Sequence, residues 1–235
     1  MAIGSPTQLA NGGSYTADSG SDRIVLVVLT ANGGNPPAPP TAMTLNGVAL
    51  TSIVYEVDNA GTTGKVHSGQ FYIKESNIPT GSNTLSWTWG STPAGFDRAI
   101  VFTLTGINQT TRIGSTSSAS EDSSTTISSG SLSVSVDDLV LCHCTVASGP
   151  TTISDPSGYI NDINVNSSPY NFNDQSVTHK IVTANGTESP AFTISAASGG
   201  VATFSVIKAA AGGGGGTFKP YWALNRSSII NSGIS

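Results

Sequence analysis

The sequence predicts an all-β fold, a jelly-roll-like antiparallel β-sandwich followed by an extended C-terminal arm. Charged residues make up only 10% of the 235 residues, and Ser, Thr, Gly and Asn fill the polar positions instead. That mixture is poor in helix-forming residues and rich in residues that favour strands and turns. Short apolar or alternating runs follow one another, separated by turn residues, and no long stretch has the period of a helix.

The first half of the chain contains strand patterns at short intervals. Ile24–Leu29 is a continuous apolar run, which predicts a central strand covered on both faces. The Pro- and Gly-rich stretch Asn32–Pro40 predicts a loop, and Asn46-Gly47 predicts the turn of a hairpin that continues into Val48–Val57. Further strands are predicted at Gln70–Ile73, Thr84–Trp89 and Ala99–Thr105.

The second half repeats this order as a weak internal two-fold sequence repeat. Asp137–Leu141 resembles Asp22–Leu26, and an alternating apolar pattern at Leu132, Val134 and Val136 precedes it. We therefore divide a sandwich at 1–211 into halves at about 14–106 and 130–210, joined by a Ser/Thr-rich crossover at 107–129. The other matching segments are Ser176–Thr183 with Gly69–Lys74, Ala191–Ser195 with Thr84–Thr88, and Ala202–Ile207 with Ile100–Thr105.

Two arrangements are compatible with this repeat. The halves form either tandem sandwiches of immunoglobulin size or one interleaved, jelly-roll-like sandwich. Each half has few and short strands for a core of its own, and the crossover lacks the Pro or charge density of a stiff linker. These two observations favour the single sandwich over the tandem pair.

The last 24 or so residues form a separate unit. Gly212–Gly216 builds neither a helix nor a strand core and predicts a spacer. The arm at 217–235 that follows is rich in apolar side chains, which are costly to leave in water, so we expect a partner chain to hold it. Its candidate binding residues are Phe218, Tyr221, Trp222, Leu224, Arg226, Ile229 and Ile230.

Trp87 and Trp89 alternate with small polar residues on one predicted strand. Two tryptophans on one sheet face would suit a sugar-stacking platform, because aromatic faces pack on pyranose C–H groups. The alternation favours the other possibility, in which both side chains point into the core and supply apolar area.

The only two cysteines, Cys142 and Cys144, flank a histidine on one strand. At this spacing both side chains point the same way, about 6.5–7 Å apart, which is too far for an unstrained disulfide. A zinc site would need more ligands at a suitable spacing, so we expect two buried free thiols, no metal and no cofactor. The alternation also predicts that His143, like His179, faces solvent.

A long segment at 155–175 is rich in Asp, Asn and aromatic residues. Its oxygen atoms suit calcium, and its tyrosines suit contact with a glycan, although Asx-turns of a surface loop explain the same residues. If the protein recognises a glycan or calcium, the candidate residues are Asp155, Tyr159, Asp162, Tyr170, Phe172 and Asp174.

Composition argues against several function classes. A net charge of −5 and a pI near 4.9 leave no basic surface for nucleic acid. The longest apolar run is too short to cross a bilayer, so we expect no membrane partner. The first residues lack the basic and apolar regions of a secretory signal, which predicts synthesis in a cytoplasm. No Gly-x-Ser-x-Gly motif occurs, and we expect no enzyme.

Several segments resemble a group of jelly-roll-like β-sandwich virion structural proteins of bacteriophages. The likeness covers about Ser14–Ala210 and is carried by Gly20–Leu29, Met43–Thr51, Phe102–Ile113 and Val136–Leu141. The closing residues Lys219–Trp222 and Ile229–Ile234 are similar to C-terminal arms of phage virion proteins.

This resemblance implies a non-enzymatic virion protein, a capsid decoration or cement protein of the head-fibre type. Its partners would be the major capsid protein or neighbouring copies in a homo-oligomer, for which a trimer would be typical. It would lie on the virion surface after synthesis in the host cytoplasm without a signal peptide. The alternative is a tail-fibre or surface adhesin module that binds host glycans through the segment at 155–175.

Overall fold

The computed structural model describes residues 1–32, 39–58, 66–90, 97–146, 152–165 and 174–210, and these residues form an all-β structure. A single 3-10 turn at Glu75–Asn77 interrupts the strands in these ranges. The strands are β1 (Ala2–Ile3), β2 (Thr7–Leu9), β3 (Ser14–Thr16), β4 (Ile24–Asn32), β5 (Pro40–Leu45), β6 (Val48–Ala49), β7 (Thr51–Val57), β8 (Val66–Lys74), β9 (Ser82–Trp89), β10 (Asp97–Thr105), β11 (Ile113–Ser128), β12 (Leu132–Val134), β13 (Leu139–Val146), β14 (Ile153–Ser154), β15 (Ile160–Val165), β16 (Asp174–Ile181), β17 (Gly186–Glu188) and β18 (Ala191–Ile207).

The first main sheet takes the order β1-β10-β4-β8-β7, with β2 also paired to β10. The sheet β3-β9-β5-β6 covers its outer face. Alternate residues of β4, such as Val25, Val27 and Leu29, pack there against the side chains of Leu85 and Trp87. These apolar contacts form the core of the first half.

The second main sheet takes the order β11-β18-β13-β16-β15. The long strand β18 pairs with β13 along one part of its length and with β14 along another, so it contributes to both layers of this half. The outer core of the second half contains residues of the main sheet together with residues from β12, β14 and the start of β18, among them Val140, Cys142, Leu132, Ile153 and Phe192.

The inner faces of the two main sheets pack against each other. Leu26 and Phe102 from the first sheet share one core with Leu141, Val177 and Ile207 from the second. Both central strands, β4 and β13, are therefore buried along their whole length. The prediction that the first apolar run forms a strand covered on both faces is confirmed, and so is the antiparallel all-β sandwich class.

The hydrogen bonding differs from the interleaved arrangement that the sequence favoured. Each described sheet takes its strands from one half of the chain, and the main sheets meet through side chains. A second difference lies in the predicted crossover, where Ile113–Ser128 forms the edge strand β11 along β18. Ser and Thr suit an edge strand with a solvated face, so their abundance did not exclude a strand there. The jelly-roll connectivity and the sequence repeat stay predictions.

The body formed by the described strands has two different ends. Thr30 near the end of β4 donates a hydrogen bond to Thr145 near the end of β13, so the two strands run in the same direction. Strands β4, β7 and β13 end on this side of the body and β8, β10 and β16 start there, so we call it the connection end. At the opposite end Ala210 N donates to Gly106 O at 2.9 Å, and Met1 contacts Gly106. We call this opposite side the exit end.

Candidate functional site

A row of buried polar side chains crosses the contact between the main sheets, and we call it the seam. Ser68 Oγ lies 2.7 Å from His143 Nδ1 and 2.6 Å from Thr203 Oγ1. Gln70 Nε2 donates to Thr203 O at 2.9 Å, and Ser205 Oγ donates to Gln70 Oε1 at 2.5 Å. Buried polar groups cost free energy unless they are paired, so this network fixes how the two sheets face each other.

His143 lies at the centre of the seam and is fully buried. Burial lowers the pKa of His143 to about 3, and the neighbouring Gln175 side chain acts in the opposite direction. The neutral imidazole accepts at Nδ1 from Ser68 when its proton is on Nε2. Apart from this interaction between the two side chains, neither His143 Nε2 nor Gln175 Oε1 has a hydrogen-bond partner among the described residues.

The prediction that His143 and His179 face solvent is wrong. Both side chains point toward the first half, which covers the inner face of the second main sheet. The strand alternation was read correctly, but the covering layer comes from residues far away in the sequence. His179 Nδ1 lies 2.8 Å from Asp162 Oδ2, and both side chains are more than nine-tenths buried.

The serine and histidine in the seam form the hydrogen bond that a catalytic nucleophile and its base form, but a substrate cannot reach them. Both Ser68 and His143 are at 0% exposure, enclosed between two sheets. Catalysis requires a reacting group to reach both residues. The pair is therefore part of the packing between the halves.

The tryptophans lie in the core of the first half, as predicted. Trp87 is 3% exposed and Trp89 packs against the same cluster. Asp97 Oδ2 accepts from both indole N–H groups, at 2.6 Å from Trp87 and 2.9 Å from Trp89. His67 packs edge-on against Trp89, so this end of the core combines aromatic packing with a shared carboxylate.

The two cysteines are free and buried, which confirms that prediction. Both thiols point into the outer core of the second half. Burial raises the pKa of Cys142 and of Cys144, so both remain protonated thiols at neutral pH.

The structure separates the candidate residues of the segment at 155–175. Asp155 and Tyr159 come together at one pocket. Asp162 is the extra residue of a bulge in β15 and contacts His179 on the inner side, while Asp174 is buried at the start of β16. Tyr170 and Phe172 lie outside the described residues. Within the described ranges, no group of three or more His, Cys, Asp or Glu side chains is arranged to hold a metal ion.

The pocket has a volume of about 440 Å³ and lies between two segments of the second half. One wall is the turn before β15, where Tyr159 N donates to Pro156 O and Gly158 has a φ of 81° that favours glycine. The other wall connects β17 to β18. The lining residues are Asp155, Pro156, Ser157, Tyr159, Glu188, Ser189, Pro190, Ala191 and Thr193.

Sequence reasoning missed the second wall of this pocket. Glu188 stands about thirty residues after Tyr159, and its short strand carries no pattern that singles it out. The two walls meet because β14 pairs with the start of β18, with Ser154 opposite Thr193. A turn signal at 155–158 was available in the sequence, but its partner segment was not.

The predicted C-terminal arm, from Phe218 to Ile230, lies outside the described residues, as does the glycine spacer. The last described residues leave the body at a defined place. Lys208 Nζ lies 2.5 Å from Asp138 Oδ2, and Ala209 forms a β-bridge with Ile107. The chain therefore departs beside the connection between the two halves.

No family model matches this chain, and no curated protein or solved structure was found to be similar to it. Among the described residues, no helix is long and apolar enough to span a membrane.

Proposed function

We propose that the protein is a non-enzymatic structural protein of a bacteriophage virion, a capsid decoration or cement protein. The β-sandwich body would lie on the particle surface. The arm at 217–235 would attach it to the major capsid protein or to a neighbouring copy. The observation that carries this proposal is the anchored exit of the chain, followed in the sequence by a glycine spacer and an apolar arm.

The anchoring of this exit supports an attachment role. The buried carboxylate of Asp138 accepts from Lys208 Nζ and from the backbone N–H of Ala209. Asn108 N also donates to Lys208 O at 2.9 Å. A force applied to the arm would reach both main sheets through these contacts, because Asp138 directly precedes β13 and Asn108 follows β10.

The arm has the composition of a binding segment. Phe218, Tyr221 and Trp222 are the residue types that often carry most of an interface's free energy. Gly212–Gly216 would let the arm reach about 17 Å from the body. Many copies of the protein, each bound weakly through its arm, would together be held strongly on one particle.

The test is co-sedimentation of purified protein with particles that lack it. We expect the full-length chain and Trp222→Phe to pellet, because an aromatic anchor is retained. A chain that ends at Ala211 and the Trp222→Ala variant should stay in solution, since loss of such an anchor typically weakens binding roughly 30-fold. All four proteins should melt at nearly the same temperature. Equal pelleting of full-length and shortened chains would refute attachment through the arm.

The second candidate function is a tail-fibre or surface adhesin module that binds host glycans. One observation favours it, the pocket that joins Asp155 and Tyr159 to Glu188. In this case the arm would serve only as the attachment device. Binding of the purified protein to bacterial surface polysaccharide, with and without a chelator, tests this function.

A further inference from the structure

We propose that the pocket between the turn at Asp155–Tyr159 and the segment Glu188–Thr193 is a saccharide-binding site. This inference rests on the second candidate function and adds to it a location, a set of residues and a ligand class. The pocket volume of about 440 Å³ falls in the range of small-molecule sites, roughly 300–1,000 Å³.

The carboxylate of Asp155 is held in place by two different strands. Asn161 Nδ2 on β15 donates to its Oδ2 at 2.6 Å, and Ser176 Oγ on β16 donates to its Oδ1 at 2.5 Å. Each oxygen keeps a further lone pair, because a carboxylate can accept about four hydrogen bonds. Asp155 is therefore a positioned acceptor at the edge of the pocket.

The carboxylate of Glu188 is held in the same way on the opposite wall. Lys180 Nζ donates to its Oε1 at 2.7 Å, and Tyr159 Oη donates to its Oε2 at 3.4 Å. Lys180 Nζ also lies 5.6 Å from the centre of the Tyr159 ring. Burial, together with the nearby Cys142 and Glu188, raises the pKa of Tyr159, so its hydroxyl stays protonated as a donor.

These contacts fit a neutral polyol better than a bare cation. Both carboxylates already have donors, and Glu188 is paired with an ammonium group, which lowers the gain from binding a cation. Their remaining lone pairs suit sugar hydroxyls, and hydrogen bonds to charged acceptors are the strong ones. The Tyr159 ring and the edges of two prolines that line the pocket supply apolar contacts for the C–H groups of a sugar ring.

A buried hydroxyl behind the pocket is a second, independent observation. Ser176, Thr178 and Lys180 alternate on one face of β16, and the outer two contact the two pocket carboxylates. Thr178 lies between them on the same face of β16, behind the pocket wall and opposite Cys142 on β13. Its Oγ1 is fully buried and, apart from the neighbouring Cys142 thiol, has no hydrogen-bond partner among the described residues.

The experiment measures saturation-transfer NMR between the full-length protein and four methyl glycosides, those of glucose, galactose, mannose and N-acetylglucosamine. Glu188→Gln removes the charge of one acceptor, and Ser157→Trp fills the pocket from an exposed position. The matched control is Glu75→Gln, because Glu75 forms a similarly partly exposed ion pair with Arg23 at 3.0 Å in the first half, outside the pocket lining. Circular dichroism and melting curves check the fold of each variant.

The expected result is saturation transfer from the wild-type protein, and from Glu75→Gln, to at least one glycoside. The affinity should fall about tenfold in Glu188→Gln, and transfer should disappear in Ser157→Trp. Absence of transfer to all four glycosides, or equal transfer from every variant, would overturn the proposal.

A parallel assay on immobilised bacterial lipopolysaccharide separates this proposal from the adhesin function. Retention of both the wild type and Ser157→Trp would keep the adhesin function and overturn the pocket as its site. Retention of the wild type alone would support both. If the glycosides bind but lipopolysaccharide does not, the pocket is supported and binding to that surface glycan is refuted.

Discussion

Acid should destabilise the protein through His143. Its imidazole is neutral in the folded state, with a pKa lowered to about 3, whereas an unfolded histidine has a pKa of 6.5. Below pH 6.5 the unfolded chain binds a proton that the folded chain does not bind. The stability contributed by the neutral imidazole is therefore fully present above pH 6.5 and is lost progressively as the pH falls toward 3.

The size of this effect follows from the two pKa values. Each pH unit between them corresponds to about 1.4 kcal/mol, so lowering the pH from 7.5 to 5 should reduce the free energy of unfolding by about 2 kcal/mol. The hydrogen-bond chain gives the structural reason. Ser68 Oγ donates to Nδ1 only while that nitrogen is unprotonated, and the imidazole, at 0% exposure, is out of contact with the bulk solvent that would stabilise a charge.

The assay is urea unfolding at pH 7.5 and pH 5, compared between the wild type and His143→Gln. Glutamine can still accept from Ser68 but does not titrate. Because His67 and His179 are present in both proteins, the difference between the two pH dependences isolates His143. A difference near 2 kcal/mol is expected. If His143→Gln loses as much stability as the wild type, the reasoning about this buried imidazole is wrong.

Three further changes test other parts of the structure. Asp97→Ala removes the acceptor of two indole N–H groups and should lower the free energy of unfolding by about 1–3 kcal/mol. The tryptophan emission spectrum should also change, and an unchanged spectrum would contradict that contact. Phe102→Ala leaves a cavity where the two main sheets meet and should lower the free energy of unfolding, measured in urea, by about 3–5 kcal/mol. A decrease below about 1 kcal/mol would argue against a buried ring there. Cys142 and Cys144 should not react with a thiol reagent in the native protein, and both should react after unfolding; rapid native labelling would show that the outer core is open.

The sequence predicted strands where a pattern within one segment decides their burial. The continuous apolar run at Ile24–Leu29 and the alternation around Trp87 are local signals, and both were read correctly. The environment of His143 was not predictable in this way, because Ser68 on its covering sheet stands 75 positions away. The edge strand at Ile113–Ser128 was missed because Ser and Thr suit strands and loops alike.

In the candidate site, too, local patterns were predictable from the sequence and long-range contacts were not. Asp155 and Tyr159 were identified from composition, because carboxylate oxygens suit calcium and aromatic rings suit a glycan, although Asx-turns explain the same residues. Asp162 belongs to the same stretch but turns inward at a bulge, and a bulge reverses the alternation that sequence reasoning relies on. Glu188 reaches the pocket only through the pairing of β14 with β18, a long-range contact that leaves no mark on either segment.

The position of Met1 and Ala210 at the same end has a consequence for protein engineering. Both lie beside Gly106, so a short artificial linker could join them in place of the residues that follow Ala210, and new chain ends could be opened elsewhere. Chain ends opened at the connection end would interrupt none of the described strands of either main sheet. A peptide inserted there would be displayed on the side of the body opposite to Met1 and Ala210, and the protein would then serve as a scaffold that presents cargo away from its exit end.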